Sequence, residues 1–186
     1  MPKFLVVAAL RSEFFSTNKL IREIHYTGVG KVNSSRAVTE LILLNKPDLI
    51  VNLGSAGCLR QELLGDVFGV EQVIERDMMA EPLAPRGTVP FDFEDSVFKS
   101  DFGTVKCATG DSFVTSSDPW LTNHKVDLVD MELFAIAKVA HFYGVNWRSI
   151  KYASDLANED ASRDWNSSLE DCSRKINEIV EQALLG

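Results

Sequence analysis

The chain has 186 residues, 45% of them hydrophobic and 25% charged, which suits one ordinary domain with a self-sufficient core. This balance excludes a disordered tail, a collagen-like fibre and a disulfide-stapled miniature fold. A net charge of −8 with no basic patch argues against nucleic acid or an anionic membrane surface as a partner. Three widely spaced cysteines, Cys58, Cys107 and Cys172, form no Cys-x-x-Cys pair, and with three histidines they make no clustered metal-ligand set. The reading is a reduced, cytoplasmic chain that uses neither metal nor organic cofactor.

Residues 4–10 (FLVVAAL) predict a strand buried on both faces. This run is too short to span a bilayer and lacks a signal-peptide flank, so no membrane segment is expected. Gly28-Val29-Gly30 predicts a tight turn into a helix over 34–45, which Pro47 ends. Residues 48–53 predict a second buried strand, and 66–74 and 103–109 predict further ones. A Pro-rich irregular stretch covers 81–90. Residues 128–142 predict a helix closed by Gly144, residues 147–153 a strand, and 165–185 an amphipathic helix. The alternation implies an α/β fold with a mixed, largely parallel central sheet flanked by helices, and residues 1–186 read as a single domain. Ligands in such sheets bind beyond the strand ends. A site is therefore expected near residues 11–13, 54–57, 110–114 and 154–155.

Two glycine segments stand out, and the first fails both nucleotide motifs. In Gly28-Val29-Gly30-Lys31, Asn33 stands where the dinucleotide fingerprint needs glycine. A phosphate-cradling loop fails at His25 and Val32. Gly54-Ser55-Ala56-Gly57 follows a buried strand and carries only tiny side chains. It predicts a loop whose backbone N–H groups approach a ligand, with a plain turn as the alternative. Three acids also stand in telling places: Glu13 past the first strand, Glu132 near the start of an apolar helix, and Asp155 at the end of a strand. Gathered in one desolvated site, such carboxylates separate into an acid and a base.

Taken in order, Gly28-Val29-Gly30-Lys31-Val32-Asn33, Gly54-Ser55-Ala56-Gly57, Gly110-Asp111-Ser112-Phe113, Asp130-Met131-Glu132 and Ser154-Asp155 resemble the purine nucleoside phosphorylase/nucleosidase superfamily. The 5′-methylthioadenosine/S-adenosylhomocysteine nucleosidases are the best match. The resemblance implies hydrolysis of the N-glycosidic bond of a purine nucleoside. It makes Asp155, after Ser154, the general acid at the purine N7, and gives Glu13 the attacking water. Glu132 would bind the ribose hydroxyls as a carboxylate, with Met131 against the sugar. Phe113 would stack on the base, the Val114 backbone would read its edge, and Ser55 and Gly57 would line the pocket. It also implies a homodimer, built in part through residues 76–91.

A phosphorylase of the same fold is the second reading, and a catalytically silent nucleoside-binding module the third. A buried phosphate needs arginine donors. Asn52 stands where the phosphorylases carry one, which favours water and leaves Arg11 as the phosphate candidate. Trp147 and Trp165 read as packing residues, and Trp120 as packing or as a lid over the pocket.

Overall fold

Runs of β-branched and aliphatic residues that are apolar on both sides can be satisfied only inside a sheet covered on both faces. In the structure, a computed structural model describing residues 3–15, 17, 19–92 and 96–185, these runs form the centre of the molecule. In chain order the elements are β1 (Phe4–Ala8), β2 (Ile24–Tyr26), α1 (Lys31–Asn45), β3 (Leu49–Cys58), β4 (Val67–Glu75), β5 (Val97–Lys99), β6 (Val105–Thr109), α2 (Pro119–Asn123), β7 (Leu128–Asp130), α3 (Leu133–Phe142), β8 (Asn146–Asp155) and α4 (Ala161–Leu185).

β1 pairs in parallel with β2 and β3, β3 with β8, and β6 with β4 and β7. Antiparallel contacts of β7 with β3 and of β8 with β4 join the two sets. Strands β3, β8, β4, β6 and β7 thus close into a ring, and β5 adds an antiparallel edge on β4. The mixed α/β class is as expected; the ring closure is not visible in strand alternation. One face is covered by α1 and α3 through Val38, Ile42, Leu133, Ile136 and Ala140. The other is covered by α4 through Cys172, Ile176, Val180 and Ala183. No helix among the described residues is long and apolar enough to cross a membrane.

Two expectations are corrected. Gly54-Ser55-Ala56-Gly57 is not a loop: β3 runs through it to Cys58, with a bulge at Ala56/Gly57 against β8. The predicted helix over 128–142 begins as strand β7, which pairs with β6 before α3 starts at Leu133. A buried three-residue strand and a buried helical turn have the same apolar signature, so periodicity could not separate them. The short strands β2 and β5 were not foreseen, because each has only three residues.

Candidate active site

β3 and β8 are buried along most of their length and bring Ser55 and Gly57 beside Ser154 and Asp155. β6 and β7 bring Thr109 beside Asp130. The chain segments leaving these strand ends, with those after β1 and β4, enclose a cavity of about 200 Å³. Its lining includes Glu13, Ser55, Gly57, Phe113, Val114, Met131, Glu132, Ser154 and Asp155, all nine residues singled out in the sequence. The three acids are 6% (Glu13), 7% (Glu132) and 4% (Asp155) exposed. Such burial of carboxylates demands hydrogen-bond partners.

Glu13 has them. Its Oε1 accepts the Ser55 N–H at 3.2 Å and the Ser55 hydroxyl at 2.6 Å, and its Oε2 accepts the Leu10 N–H at 3.1 Å. Gly54 lies directly beside this carboxylate: a Cβ on it would stand in van der Waals contact with Glu13 Oε1, at 3.4 Å. Asp155 accepts the Ser154 hydroxyl at 2.8 Å and the Ala157 N–H at 3.0 Å. A Cβ on Gly57 would lie 2.8 Å from Asp155 Oδ1, so glycine makes room for the acid. The tiny residues of β3 therefore serve the carboxylates, and the Ser55 N–H goes to Glu13. Burial pushes the Asp155 carboxyl above its ordinary range, against the hydrogen bonds from Ser154 and Ala157.

Glu132 sits at the N-cap of α3 and accepts the N–H of Gly30 at 2.8 Å. Gly30 adopts φ 91°, a left-handed conformation that favours glycine. The turn before α1 thus supplies a site donor, a role that its sequence did not signal. Burial first, and then the neighbouring Asp130 charge, push the Glu132 carboxyl up to about 8. Below that value the protonated form is favoured until positive charge develops beside it.

Four further residues were missed. Asp130 and Lys151 form a buried ion pair at 2.8 Å, with Lys151 2% exposed. Asp130 also accepts the Thr109 hydroxyl at 2.5 Å and the Leu133 N–H at 2.9 Å. Burial pushes the Asp130 carboxyl up, but the Lys151 ammonium and these donors outweigh it and hold it low. A lysine in the middle of a predicted strand, between Ile150 and Tyr152, was the available signal, because once buried it must find a counter-charge. Arg76, at the end of β4, lines the cavity and donates to the carbonyls of Gly110 and Ser112 and to the Ser112 hydroxyl. Its signal was the polar run Glu75-Arg76-Asp77 after a buried strand. Trp165 also lines the cavity, and its indole N–H reaches Ser55 Oγ at 2.8 Å. It is more than packing.

Trp120 is not a lid. It stacks on His124 at 4.0 Å, lies under the Arg86 guanidinium at 4.6 Å, and is not among the cavity-lining residues. The phosphate candidates also lie elsewhere. Asn52 is buried and accepts from Ser149, and Arg11 stands over the Tyr26 ring at 5.4 Å; neither lines the cavity. Among the described residues no cluster of three or more metal-ligating side chains is present.

Three buried carboxylates lining one cavity at the strand ends of an α/β fold fit an acid–base enzyme of glycosyl transfer. The profile of the phosphorylase superfamily matches residues 11–185. The 5′-methylthioadenosine/S-adenosylhomocysteine nucleosidase of Staphylococcus aureus (strain MRSA252) is 31% identical over 179 aligned positions, covering 85% of this chain and 78% of the relative. The chain belongs to the phosphorylase superfamily, in the family of the 5′-methylthioadenosine/S-adenosylhomocysteine nucleosidases. The fold is shared with a crystal structure of S-adenosylhomocysteine nucleosidase from Streptococcus pyogenes in complex with 5-methylthiotubericidin. That structure has a TM-score of 0.83 at 24% identity, over 96% of this chain and 94% of that one. It is shared equally with futalosine hydrolase of Helicobacter pylori strain 26695, with a TM-score of 0.83 at 19% identity over 97% and 98% of the two chains.

Proposed function

We propose that the protein hydrolyses the N-glycosidic bond of 5′-substituted adenosines, of which 5′-methylthioadenosine and S-adenosylhomocysteine are the first to test. The observation that carries the proposal is the meeting of Glu13, Glu132 and Asp155, each buried, in the lining of one cavity. In this reading protonated Asp155 gives its proton to N7 of the purine as the C1′–N9 bond breaks and its electron pair leaves with the base. Water adds to C1′ of the cation-like sugar, and Glu13 takes the water proton. Glu132 holds the ribose hydroxyls, and as positive charge grows on the sugar its carboxylate form is favoured. Met131 packs on the sugar, Phe113 and Val114 hold the base, and Ser154, Ser55 and Gly57 complete the wall.

Water rather than phosphate is favoured by the charge of the site. The lining carries Glu13, Asp130, Glu132 and Asp155 against Arg76 as its cation, and part of that guanidinium is committed to backbone carbonyls. A phosphate dianion would enter beside the Glu13 carboxylate, with a partly committed Arg76 as the cation of the lining. The retained acids also argue against a silent binding module. An assay of free base from a nucleoside panel tests all three readings. Release without phosphate is expected. Strict phosphate dependence selects a phosphorylase, and tight binding without release selects the module.

The wider readings have their own support. The described residues share one sheet, and the superfamily profile spans 11–185, which supports one nucleosidase unit over 1–186. The three cysteines are buried and free, which favours a reducing cytoplasm. Exposed apolar side chains on α1, α3 and the segment 79–91 (Val32, Leu44, Phe142, Met79, Leu83 and Phe91) favour a homodimer.

A further inference from the structure

Trp165, Ser55 and Glu13 form a chain of hydrogen bonds that crosses from α4 to the loop after β1. The Trp165 indole N–H donates to Ser55 Oγ at 2.8 Å, and Ser55 Oγ lies 2.6 Å from Glu13 Oε1. An indole nitrogen can only donate, while a serine hydroxyl has one proton and two lone pairs. Trp165 occupies one lone pair, and the single Ser55 proton goes to Glu13, whose carboxylate oxygen can only accept. Oε1 is then held by two donors, the Ser55 hydroxyl and its N–H. Among the described residues Oε2 accepts the Leu10 N–H, and it keeps accepting capacity toward the cavity.

Packing does not require a donor at this place. The stripe that anchors α4 lies further along, at Cys172, Ile176, Val180 and Ala183, and an apolar ring at 165 would serve the same surface. We propose that Trp165 is a positioning residue: its N–H fixes the Ser55 hydroxyl, and through it aims the Glu13 carboxylate at the attacking water. The proposal rests on Glu13 being the acceptor of the water proton, as argued above.

The test is a double-mutant cycle on kcat for release of free base from 5′-methylthioadenosine. Trp165→Phe keeps an aromatic ring and removes the N–H. It should lower kcat roughly three- to tenfold, the worth of one aligning hydrogen bond. Ser55→Ala should lower kcat at least as far. Trp165→Phe placed on Ser55→Ala should then change kcat less than about twofold, because its partner is gone. Benzothienylalanine at position 165 keeps the bicyclic shape without the donor. It should reproduce the loss, and it decides the matter if the phenylalanine variant folds poorly. Losses that multiply in the double variant, an unchanged kcat with the benzothienyl ring, or a change confined to KM each overturn the proposal. Glu13→Gln separates the two levels. If it retains turnover, the role of Glu13 is wrong. If it abolishes turnover while the loss of the indole N–H is silent, only the role of Trp165 is wrong.

Discussion

At the scale of single residues, the two acids pushed upward, Asp155 and Glu132, give up their protons to different ends. Asp155 has one to give: burial favours its neutral form, and a departing purine needs that proton. Asp155→Asn keeps the shape and has no transferable proton, so kcat should fall by about 10²- to 10⁴-fold, with the circular dichroism spectrum retained. Rates of base release check this; near-normal turnover would remove Asp155 from the mechanism. Glu132, pushed up to about 8, has a proton to lose. A ligand with a positively charged sugar-like ring favours the carboxylate and so lowers this value on binding. Below pH 8 the free protein holds the proton and the complex releases it. Affinity for such a ligand should therefore rise with pH up to about 8 and level off above. Calorimetry in two buffers of different ionisation enthalpy measures the released proton. Glu132→Gln should abolish the release, and a release that survives it would assign the proton elsewhere.

Among the elements, the junction of β7 and α3 carries the greatest electrostatic load. Asp130 ends the strand, holds the Leu133 N–H at the start of α3, and neutralises Lys151 of β8. Removing one partner of such a pair strands a buried charge, at a cost of about 3–5 kcal/mol. Lys151→Met should lose that much stability in urea unfolding. Adding Asp130→Asn, which keeps an acceptor for Leu133, should restore part of it. A Lys151→Met protein as stable as the parent would show that Asp130 is not charged in the fold. The same junction shows what could be read in the sequence. Glu132 and Asp155 were visible as acids beside apolar runs, because nothing in an apolar element needs a carboxylate. The split into β7 and α3 was hidden, since Leu128, Val129 and Asp130 become a strand only by pairing with β6. Gly54 and Gly57 read as a loop for a similar reason. The constraint on Gly57 is the approach of Asp155, a side chain that lies far away in the chain. Trp165 and Gly30 were equally silent, as their partners Ser55 and Glu132 are 110 and 102 positions distant.

On the scale of the whole molecule, the three-layer arrangement leaves unequal outer surfaces. α4 carries its polar side outward, while α1 and α3 leave Val32 and Phe142 exposed in a groove that Phe134, Val139 and Tyr143 also line. Exposed apolar side chains grouped in this way mark a contact surface, and a second copy of the chain is the partner we infer. The rim of the active-site cavity is also open at Phe113 and Val29, both exposed. A neighbour could cover these side chains and exclude water from the reacting sugar. Light scattering should therefore give twice 20.7 kDa at micromolar concentration. Phe142→Glu, remote from the cavity lining, should shift the mass toward the monomer by burying a charge at the contact. Specific activity should fall on dilution in step with the dimer population. A monomer of full activity at all concentrations would leave the apolar surface without this role, and would mean that each copy closes its own site.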